Sequence, residues 1–340
     1  MLFLKMNCTG KCDFMKKLFF LFCSLAIPAT LIFAQTKNEE LDRKRIVSNK
    51  VKQITQWSHR YAQDKPNPKG YKASETKYDK KGNPIEIINY KANGDISSKV
   101  LYKYNDKNQR IEYVLYQKLN RPEIEIANKQ TYLYDSKGNK SLEVRFDGQT
   151  QSRVVYEYHP DNKPKGIVTY SASNKVLEKW DYAYEGGYQN ITITDGDNKL
   201  TSSIKRKNDD KGNLLEEIRF DSKGKELKRI VSAYGSNGYL TEEIEYYTGN
   251  LVKKQYFKYS NQGILIEILQ ENPDGTKFTQ STYKHDTKGN LMEERWSEGD
   301  PNEFSHKQSS YDKNGNPLEV DSYYAPYKFR VLYKYSYDYY

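Results

Sequence analysis

The chain is poor in cysteine and histidine, and each shortage removes a class of site. All three cysteines, Cys8, Cys12 and Cys23, fall within a segment predicted to be removed. The mature protein is therefore expected to lack disulfides, thiol nucleophiles and cysteine-bound metals. A catalytic histidine needs a partner within hydrogen-bond reach, and no such partner is evident for the four widely separated histidines, so none is predicted to be catalytic. These are His59, His159, His285 and His306.

Motifs of catalysis and cofactor binding are also missing. The chain contains no HExxH, GxSxG or P-loop sequence, so we predict that it is not an enzyme and has no cofactor. Its recurrent Asp-x-x-Gly-Asn turns offer too few ligands for a calcium loop, so no metal site is predicted. Paired carboxylates could suit a glycosidase, but here they recur from unit to unit, whereas a catalytic pair should be unique.

Long apolar runs are confined to the N-terminal region. The stretch MKKLFFLFCSLAIPATLIFAQ, which starts at Met15, has two lysines, then an apolar run, and a cleavage site after Ala34. Residues 1–34 are therefore predicted to be a secretory signal peptide, with a transmembrane anchor as the alternative. Residues 1–14 are interpreted as the result of a start codon assigned too far upstream, because Met15 opens a better signal. No membrane span is predicted after it, and the protein is expected to be extracytoplasmic: periplasmic, on the outer surface or secreted.

Charge is mixed along the chain and only weakly basic overall. The formal net charge of +10 falls to +7 once the four lysines and one aspartate of the signal are removed. Lysine and glutamate alternate over short distances, which is typical of a solvated face. This bias permits contact with anionic polymers but does not predict a nucleic-acid partner. The mean hydropathy of −0.96 indicates that any aliphatic core is thin.

What the chain has in abundance is tyrosine, much of it at a regular spacing. The phrase YDKKGNPIE at 78–86 returns as YDSKGNKSLE at 134–143 and as YDKNGNPLE at 311–319. Such units of about 26 residues follow one another, and a period of this length predicts a repeat architecture. The residues that open the units, here called the anchors, are Tyr78, Tyr104, Tyr134, Tyr158, Tyr184, Asn208, Tyr234, Tyr259, His285 and Tyr311, and Tyr337 closes the series.

Each unit contains two turn signals separated by strand-like segments. In the opening phrase, aspartate can accept a hydrogen bond from the backbone two residues on, and glycine or asparagine adopts the positive φ of a tight reversal. A second turn follows about thirteen residues later, as in YKANGD at 90–95. Apolar alternation flanks both turns, so one unit is predicted to be a β-hairpin followed by a connecting turn.

Tyrosines alternate along the returning strand of several units. A spacing of two residues places both members of a pair on one face, and the Lys- and Glu-rich residues between them make the other face wetter. This aromatic ladder is the predicted ligand-binding surface, and its competing role is packing in place of an aliphatic core. The predicted ladder residues are Tyr102, Tyr104, Tyr132, Tyr134, Tyr156, Tyr158, Tyr182 and Tyr184.

The predicted fold is all-β, with tandem β-hairpin repeats of about 26 residues forming one long antiparallel, coiled meander sheet. A twisted sheet rarely exceeds ~10 strands without curling, so we expect this sheet to wrap partly round its aromatic face, with a flat layer as the alternative. Residues 78–340 form the repeat domain, 51–77 an N-terminal capping hairpin, and 35–50 a linker or short helix. The Tyr-rich segment 331–340 is predicted to be an exposed edge strand.

The YD dipeptides followed by Gly-Asn resemble those of YD-repeat (Rhs-type) proteins of bacterial surfaces, over residues 78–340. The hairpin turns also resemble MORN-like repeats. The first resemblance implies an extracytoplasmic β-repeat, and carbohydrate binding has been attributed to some members of that family. Other members form shells around a toxin, but these units are longer, and neither a self-cleaving segment nor a C-terminal toxin is recognisable.

Two functions from different classes follow from these patterns. The first is a non-enzymatic exported binding protein that recognises a glycan or cell-envelope polymer through the aromatic ladder. The alternative is a protein-interaction scaffold or adhesin that acts through the edge strand at 331–340 or through the charged face. An enzyme with a grafted site ranks below both, and its expected place is the most divergent unit, 184–207, where EGGYQN replaces the usual phrase.

Overall fold

The computed structural model describes residues 40–118, 123–297, 300 and 302–340. The predicted signal peptide lies outside this part of the chain. Residues 42–340 form one compact unit. Twenty-three strands dominate it, together with a helix over 40–48 and a short 3-10 helix at Ala325–Tyr327. No helix in the described ranges is long and apolar enough to cross a membrane.

The strands are β1 (Val51–Ala62), β2 (Lys65–Pro66), β3 (Tyr71–Tyr78), β4 (Pro84–Tyr90), β5 (Ile96–Tyr104), β6 (Arg110–Gln117), β7 (Glu125–Tyr134), β8 (Lys140–Phe146), β9 (Gln151–Tyr158), β10 (Pro164–Ser171), β11 (Val176–Glu185), β12 (Tyr188–Asp195), β13 (Leu200–Asn208), β14 (Leu214–Asp221), β15 (Glu226–Tyr234), β16 (Leu240–Tyr247), β17 (Asn250–Tyr259), β18 (Leu265–Glu271), β19 (Lys277–His285), β20 (Leu291–Ser297), β21 (Phe304–Tyr311), β22 (Pro317–Tyr324) and β23 (Phe329–Tyr339).

The sheet is closed. From β3 to β23 each strand pairs antiparallel with the next, and β1 pairs with both β3 and β23, while β2 adds a two-residue pairing to the end of β1. The result is a 22-stranded β-barrel. The all-β hairpin architecture is confirmed, but the predicted open, coiled meander is wrong. Closure gives the outer backbone groups of the first and last strands hydrogen-bond partners, which an open sheet would leave unpaired.

The two ends of the predicted sheet therefore meet each other. Nine residue pairs align between β1 and β23, from Val51 opposite Tyr339 to Arg60 opposite Val331. The exposed edge strand predicted at 331–340 is wrong, because β23 pairs with β1 from Val331 to Tyr339 and with β22 from Phe329 to Lys334. β1 and β3 do form a hairpin within 51–78, but this hairpin contributes the closing strand and caps no open end.

The turns form as their sequence predicts. In the first unit the carboxylate of Asp79 accepts hydrogen bonds from the backbone N–H groups of Lys81 (2.8 Å) and Asn83 (2.9 Å). The side-chain amide of Asn83 returns a bond to the same carboxylate at 2.9 Å, and Gly82 adopts φ of 80°. This arrangement recurs in other units, and all these turns lie at one end of the barrel, here called the anchor rim.

The anchor tyrosines tie neighbouring hairpins together. The hydroxyl of Tyr104 donates to the carbonyl of Pro84 in the preceding unit at 3.1 Å, and Tyr337 donates to Pro317 at 2.6 Å. The acceptor is the sixth residue after the preceding anchor in each case. The same bond is made by Tyr134, Tyr158, Tyr184, Tyr259 and Tyr311. A repeated inter-hairpin bond explains why tyrosine, rather than phenylalanine, opens most units.

The two faces of the wall differ in burial and chemistry. Directly paired residues share a face, and one face contains Val154, Ile191 and Ile230, each at most 5% exposed. Side chains converge on the concave side of a closed sheet, so we infer that this more buried face is the inner face. The outer face bears interleaved ion pairs, such as Lys103 with Glu112 at 2.7 Å. The outer face also bears aromatic rings, such as that of Tyr90, whose hydroxyl donates to Glu75, so aromatic side chains occur on both faces of the wall.

The helix lies against the anchor rim at the barrel seam. Ile46 is 2% exposed, and a Cβ on Gly82 would lie 2.8 Å from the carbonyl oxygen of Arg43. The side chain of Asn49 donates to Asn314 and Asn316 on the other side of the seam, at 3.1 and 2.8 Å. Residues 40–48 of the predicted linker or short helix are thus helical, and this helix with the turn that follows it bridges the turns of the first and last units.

Candidate functional site

All eight ladder tyrosines lie on the inner face of the barrel wall. Cross-strand pairs place them there, as with Tyr102 opposite Tyr113, Tyr132 opposite Glu143 and Tyr156 opposite Ile167. The sequence therefore predicted their common face correctly. It did not predict that this face would be enclosed by a closed sheet.

Most of the ladder hydroxyls serve the barrel itself. The Tyr156 hydroxyl donates to Glu143 at 2.9 Å, and burial, followed by the nearby Glu143 charge, raises the Tyr156 pKa. Tyr132 is only 4% exposed, and its hydroxyl donates to Gln130. Together with the anchor bonds to backbone carbonyls, these contacts give the ladder a packing and tethering role over much of its length.

Tyr184 differs from the other ladder residues because its ring is open to solvent. It is 39% exposed, whereas the other seven are buried or half-buried. Its hydroxyl donates to the carbonyl of Pro164 at 3.0 Å and accepts a bond from the side-chain amide of Gln189 at 3.0 Å. The hydroxyl is therefore held in place while much of the ring remains free to contact a ligand.

A break in the anchor rim exposes this ring. Successive turns contact one another through side chains, as when Asn139 donates to Asn162 at 2.7 Å and Lys137 donates to Pro160 at 2.9 Å. The next hairpin, β11–β12, has only Gly186 and Gly187 at its tip, at φ of 59° and 78°. Because no longer turn follows, the side of the 159–163 turn that faces β11 is uncovered.

The break forms a shallow concavity of about 470 Å³, here called the rim concavity. The ring of His159 meets Tyr184 edge-on at a centroid distance of 6.0 Å, and the ammonium of Lys163 lies 5.4 Å from the Tyr184 centroid. Lys163 also pairs with Asp161 at 2.8 Å, a contact that lowers the Asp161 pKa. The residues that line the rim concavity are His159, Pro160, Asp161, Lys163, Tyr182, Ala183 and Tyr184.

The concavity combines an aromatic ring with hydrogen-bonding groups of both kinds. Such a combination suits a small polar ligand that has one apolar face, since a few placed polar groups fix its orientation. Across the described ranges, no group of three His, Cys, Asp or Glu side chains could hold a metal ion.

Sequence reasoning identified part of this site. It singled out Tyr182 and Tyr184 and recognised EGGYQN as the most divergent phrase, but it did not connect that divergence with the turn at 159–163. The available signal was the Gly186-Gly187 pair, which predicts a two-residue hairpin turn and hence a missing neighbour for the preceding turn. In the sequence, His159 stands only as an isolated histidine.

A separate charged cluster lies deeper on the inner face. The carboxylate of Glu217 is 2% exposed and accepts bonds from Arg206 at 2.6 Å and Arg219 at 2.7 Å. Burial opposes ionisation of Glu217, but the two guanidinium groups outweigh it and hold the Glu217 pKa below its usual range. This triad is a structural element of the wall with no exposed reactive group.

Comparisons with known proteins provide no functional assignment. No protein family model matches the chain, and a search of curated proteins found no match. Among solved structures, a porin-like protein from Bacteroides uniformis is 9% identical with a TM-score of 0.30, and 85% of this chain aligns with 98% of that one. A porin-like protein from Bacteroides vulgatus is 10% identical over the same shares, with a TM-score of 0.21.

The crystal structure of TcdB2-TccC3-TEV is also similar, at 12% identity and a TM-score of 0.26. It aligns with 79% of this chain, which spans about a fifth (19%) of that much longer chain. TM-scores this low do not establish a shared fold, so functional conclusions depend on the geometry of the site.

Proposed function

We propose that this protein is a non-enzymatic, exported binding protein, and that a sugar unit of a glycan or cell-envelope polymer occupies the rim concavity. The observation that carries the proposal is the exposed ring of Tyr184 with polar groups of the 159–163 turn beside it. The apolar face of a sugar packs on an aromatic ring, and its hydroxyls can bond to neighbouring donors and acceptors. The rest of the ladder then serves as the rigid support.

Binding suits this site better than catalysis. The Asp161 carboxylate already pairs with Lys163 and accepts a bond from its backbone N–H at 3.3 Å. His159 meets the Tyr184 ring edge-on and its charge acts on Asp161, but among the described residues it makes no ion pair or side-chain hydrogen bond with a carboxylate that would orient it as a base. An exported location is part of the proposal and is supported by the signal-like sequence that starts at Met15. The resemblance to YD-repeat proteins supports a glycan as the ligand.

A binding assay with two variants of Tyr184 tests the proposal. The protein purified after export is measured against soluble glycans, and by pull-down on insoluble polysaccharides and peptidoglycan. Tyr184→Ala should weaken binding about tenfold or more, which corresponds to about 1.4 kcal/mol. Tyr184→Phe keeps the stacking ring and loses only the hydroxyl bonds, so it should stay within about threefold of wild type.

The matched control is Tyr247→Ala, which removes a tyrosine that is 59% exposed on β16, outside the concavity. Its binding should equal wild type. Circular dichroism must show that every variant remains folded. Wild-type affinity in Tyr184→Ala would refute the site, and equal losses in Tyr184→Ala and Tyr184→Phe would indicate that the hydroxyl, rather than stacking, is what matters.

A further inference from the structure

One position of the repeat, apolar in most units, has a positively charged residue in two neighbouring units. The sixth residue after the anchor is proline or leucine in seven units and asparagine in one, but it is Arg110 and Lys140 in the other two. The seven are Pro84, Pro164, Leu214, Leu240, Leu265, Leu291 and Pro317. The backbone carbonyl of this residue accepts the anchor hydroxyl bond at Arg110 and Lys140 just as it does at Pro317, so that bond does not require a cation.

The two cations alternate with ladder tyrosines along the inner face. The guanidinium of Arg110 lies 5.8 Å from the Tyr102 centroid and 5.5 Å from the Tyr132 centroid. The ammonium of Lys140 lies 4.7 Å from Tyr132 and 5.4 Å from Tyr156. Cations over aromatic rings are attracted by the ring quadrupole, so these rings hold both side chains in place. Tyr132 is buried beneath them and is not itself a surface for a ligand.

Positive charge exceeds negative charge in this row. Glu143 is the carboxylate that faces it, and it is shared by Lys140 at 3.1 Å and Arg145 at 2.6 Å. Arg110 is exposed, and its described contacts are with tyrosines: the rings of Tyr102 and Tyr132 and the Tyr132 hydroxyl. One carboxylate thus faces three cations, and the Arg110 guanidinium retains donors that can bind an oxyanion in the forked geometry typical of arginine.

We propose that Arg110 and Lys140 form an anion subsite on the inner rim, which binds a carboxylate or phosphate group attached to a sugar. The subsite lies on the same face and the same rim as the rim concavity, in the two units that precede it. This inference rests on the proposed function for the glycan nature of the ligand, and it adds that the polymer is negatively charged. The oxyanion contacts the two cations, while Tyr102, Tyr132 and Tyr156 position them.

The test uses variants that restore the usual residue of the repeat. Arg110→Leu and Lys140→Leu introduce the leucine that other units have at this position, so folding should be retained. Binding of oligogalacturonate and of mannose 6-phosphate is measured by calorimetry at low salt, which distinguishes carboxylate from phosphate. The double variant should bind the preferred anion about tenfold more weakly or worse, and added salt should weaken wild-type binding.

Lys103→Leu is the control, because it removes one positive charge from the outer face of β5, where Lys103 is 69% exposed. Unchanged binding in this control together with a loss in the double variant supports the subsite. Equal losses in both would indicate only a net-charge effect and overturn it, as would wild-type affinity in the double variant or no binding of either anion.

Tyr184→Ala separates this inference from the proposed function. If neutral glycans bind through Tyr184 and anions do not bind, the rim concavity stands and the subsite is wrong. If anion binding depends on Arg110 and Lys140 while Tyr184→Ala changes no affinity, the subsite stands and the proposed sugar position is wrong.

Discussion

Removing the Glu217 carboxylate should destabilise the barrel more than removing any exposed ion pair. Glu217→Ala leaves Arg206 and Arg219 without their shared partner, and their side chains are only 22% and 18% exposed. Breaking a fully buried ion pair by removing one partner costs about 3–5 kcal/mol. Because both arginines keep some contact with water, which screens their charge, we expect the lower end of that range, about 3 kcal/mol in the free energy of unfolding.

Urea unfolding followed by circular dichroism measures this cost, and its pH dependence identifies the cause. The Glu217 pKa is lower in the folded protein than in the unfolded chain. Its contribution is therefore fully present above the unfolded value of about 4.3 and is lost as the pH falls through the lower folded value. The difference in stability between wild type and Glu217→Ala should shrink over that acidic window.

Two further variants make the result decisive. Glu157→Ala removes a carboxylate that is 55% exposed and paired with an equally exposed Lys165, so it should cost at most about 1 kcal/mol. Replacing Glu217, Arg206 and Arg219 together by methionine removes all three charges and should recover much of the loss. A Glu217→Ala protein as stable as Glu157→Ala would refute the reasoning.

Two predictions concern the anchor position. Tyr337→Phe removes the hydroxyl bond to Pro317 and should lower the free energy of unfolding by about 1 kcal/mol in urea titrations, whereas Tyr247→Phe, a change at an exposed site, should have no effect. His285 occupies an anchor position, and its buried Nδ1 has no hydrogen-bond partner. Burial lowers the His285 pKa in the folded protein, so the free energy of unfolding should decrease as the pH falls below the unfolded value of about 6.5. His285→Tyr should supply the hydroxyl bond to the Leu265 carbonyl, raise stability by about 1 kcal/mol and remove that acidic loss; an unchanged stability–pH profile would contradict this.

The repeat could be derived from sequence because it depends on local chemistry. An Asp-x-x-Gly-Asn turn forms through bonds within five residues, as in Asp79 with Lys81 and Asn83, and strand alternation decides which side chains share a face. Neither property depends on where distant units lie. Hairpin order, turn geometry and the common face of the ladder were therefore predictable.

Closure was not predictable from the same reasoning, because it depends on the sum of many small rotations. Each pair of strands twists and bends by an amount that no single residue specifies, and only the total determines whether β1 reaches β23. The error about the 331–340 edge followed from this. The sequence also left open whether 35–50 is a linker or a short helix. The contact of the helix at Gly82 and the Asn49 bonds across the seam exist only once the barrel has closed.

The candidate site shows the same division. Sequence by itself determined that Tyr182 and Tyr184 share a face and that Gly186-Gly187 makes a short turn, because both follow from backbone geometry within one hairpin. Only the tertiary structure decided that the ladder lines the inner wall, that most of its hydroxyls bond to the barrel, and that Tyr184 remains exposed. Those outcomes depend on which neighbouring turn covers a ring, and turns from different units meet only after the sheet has formed.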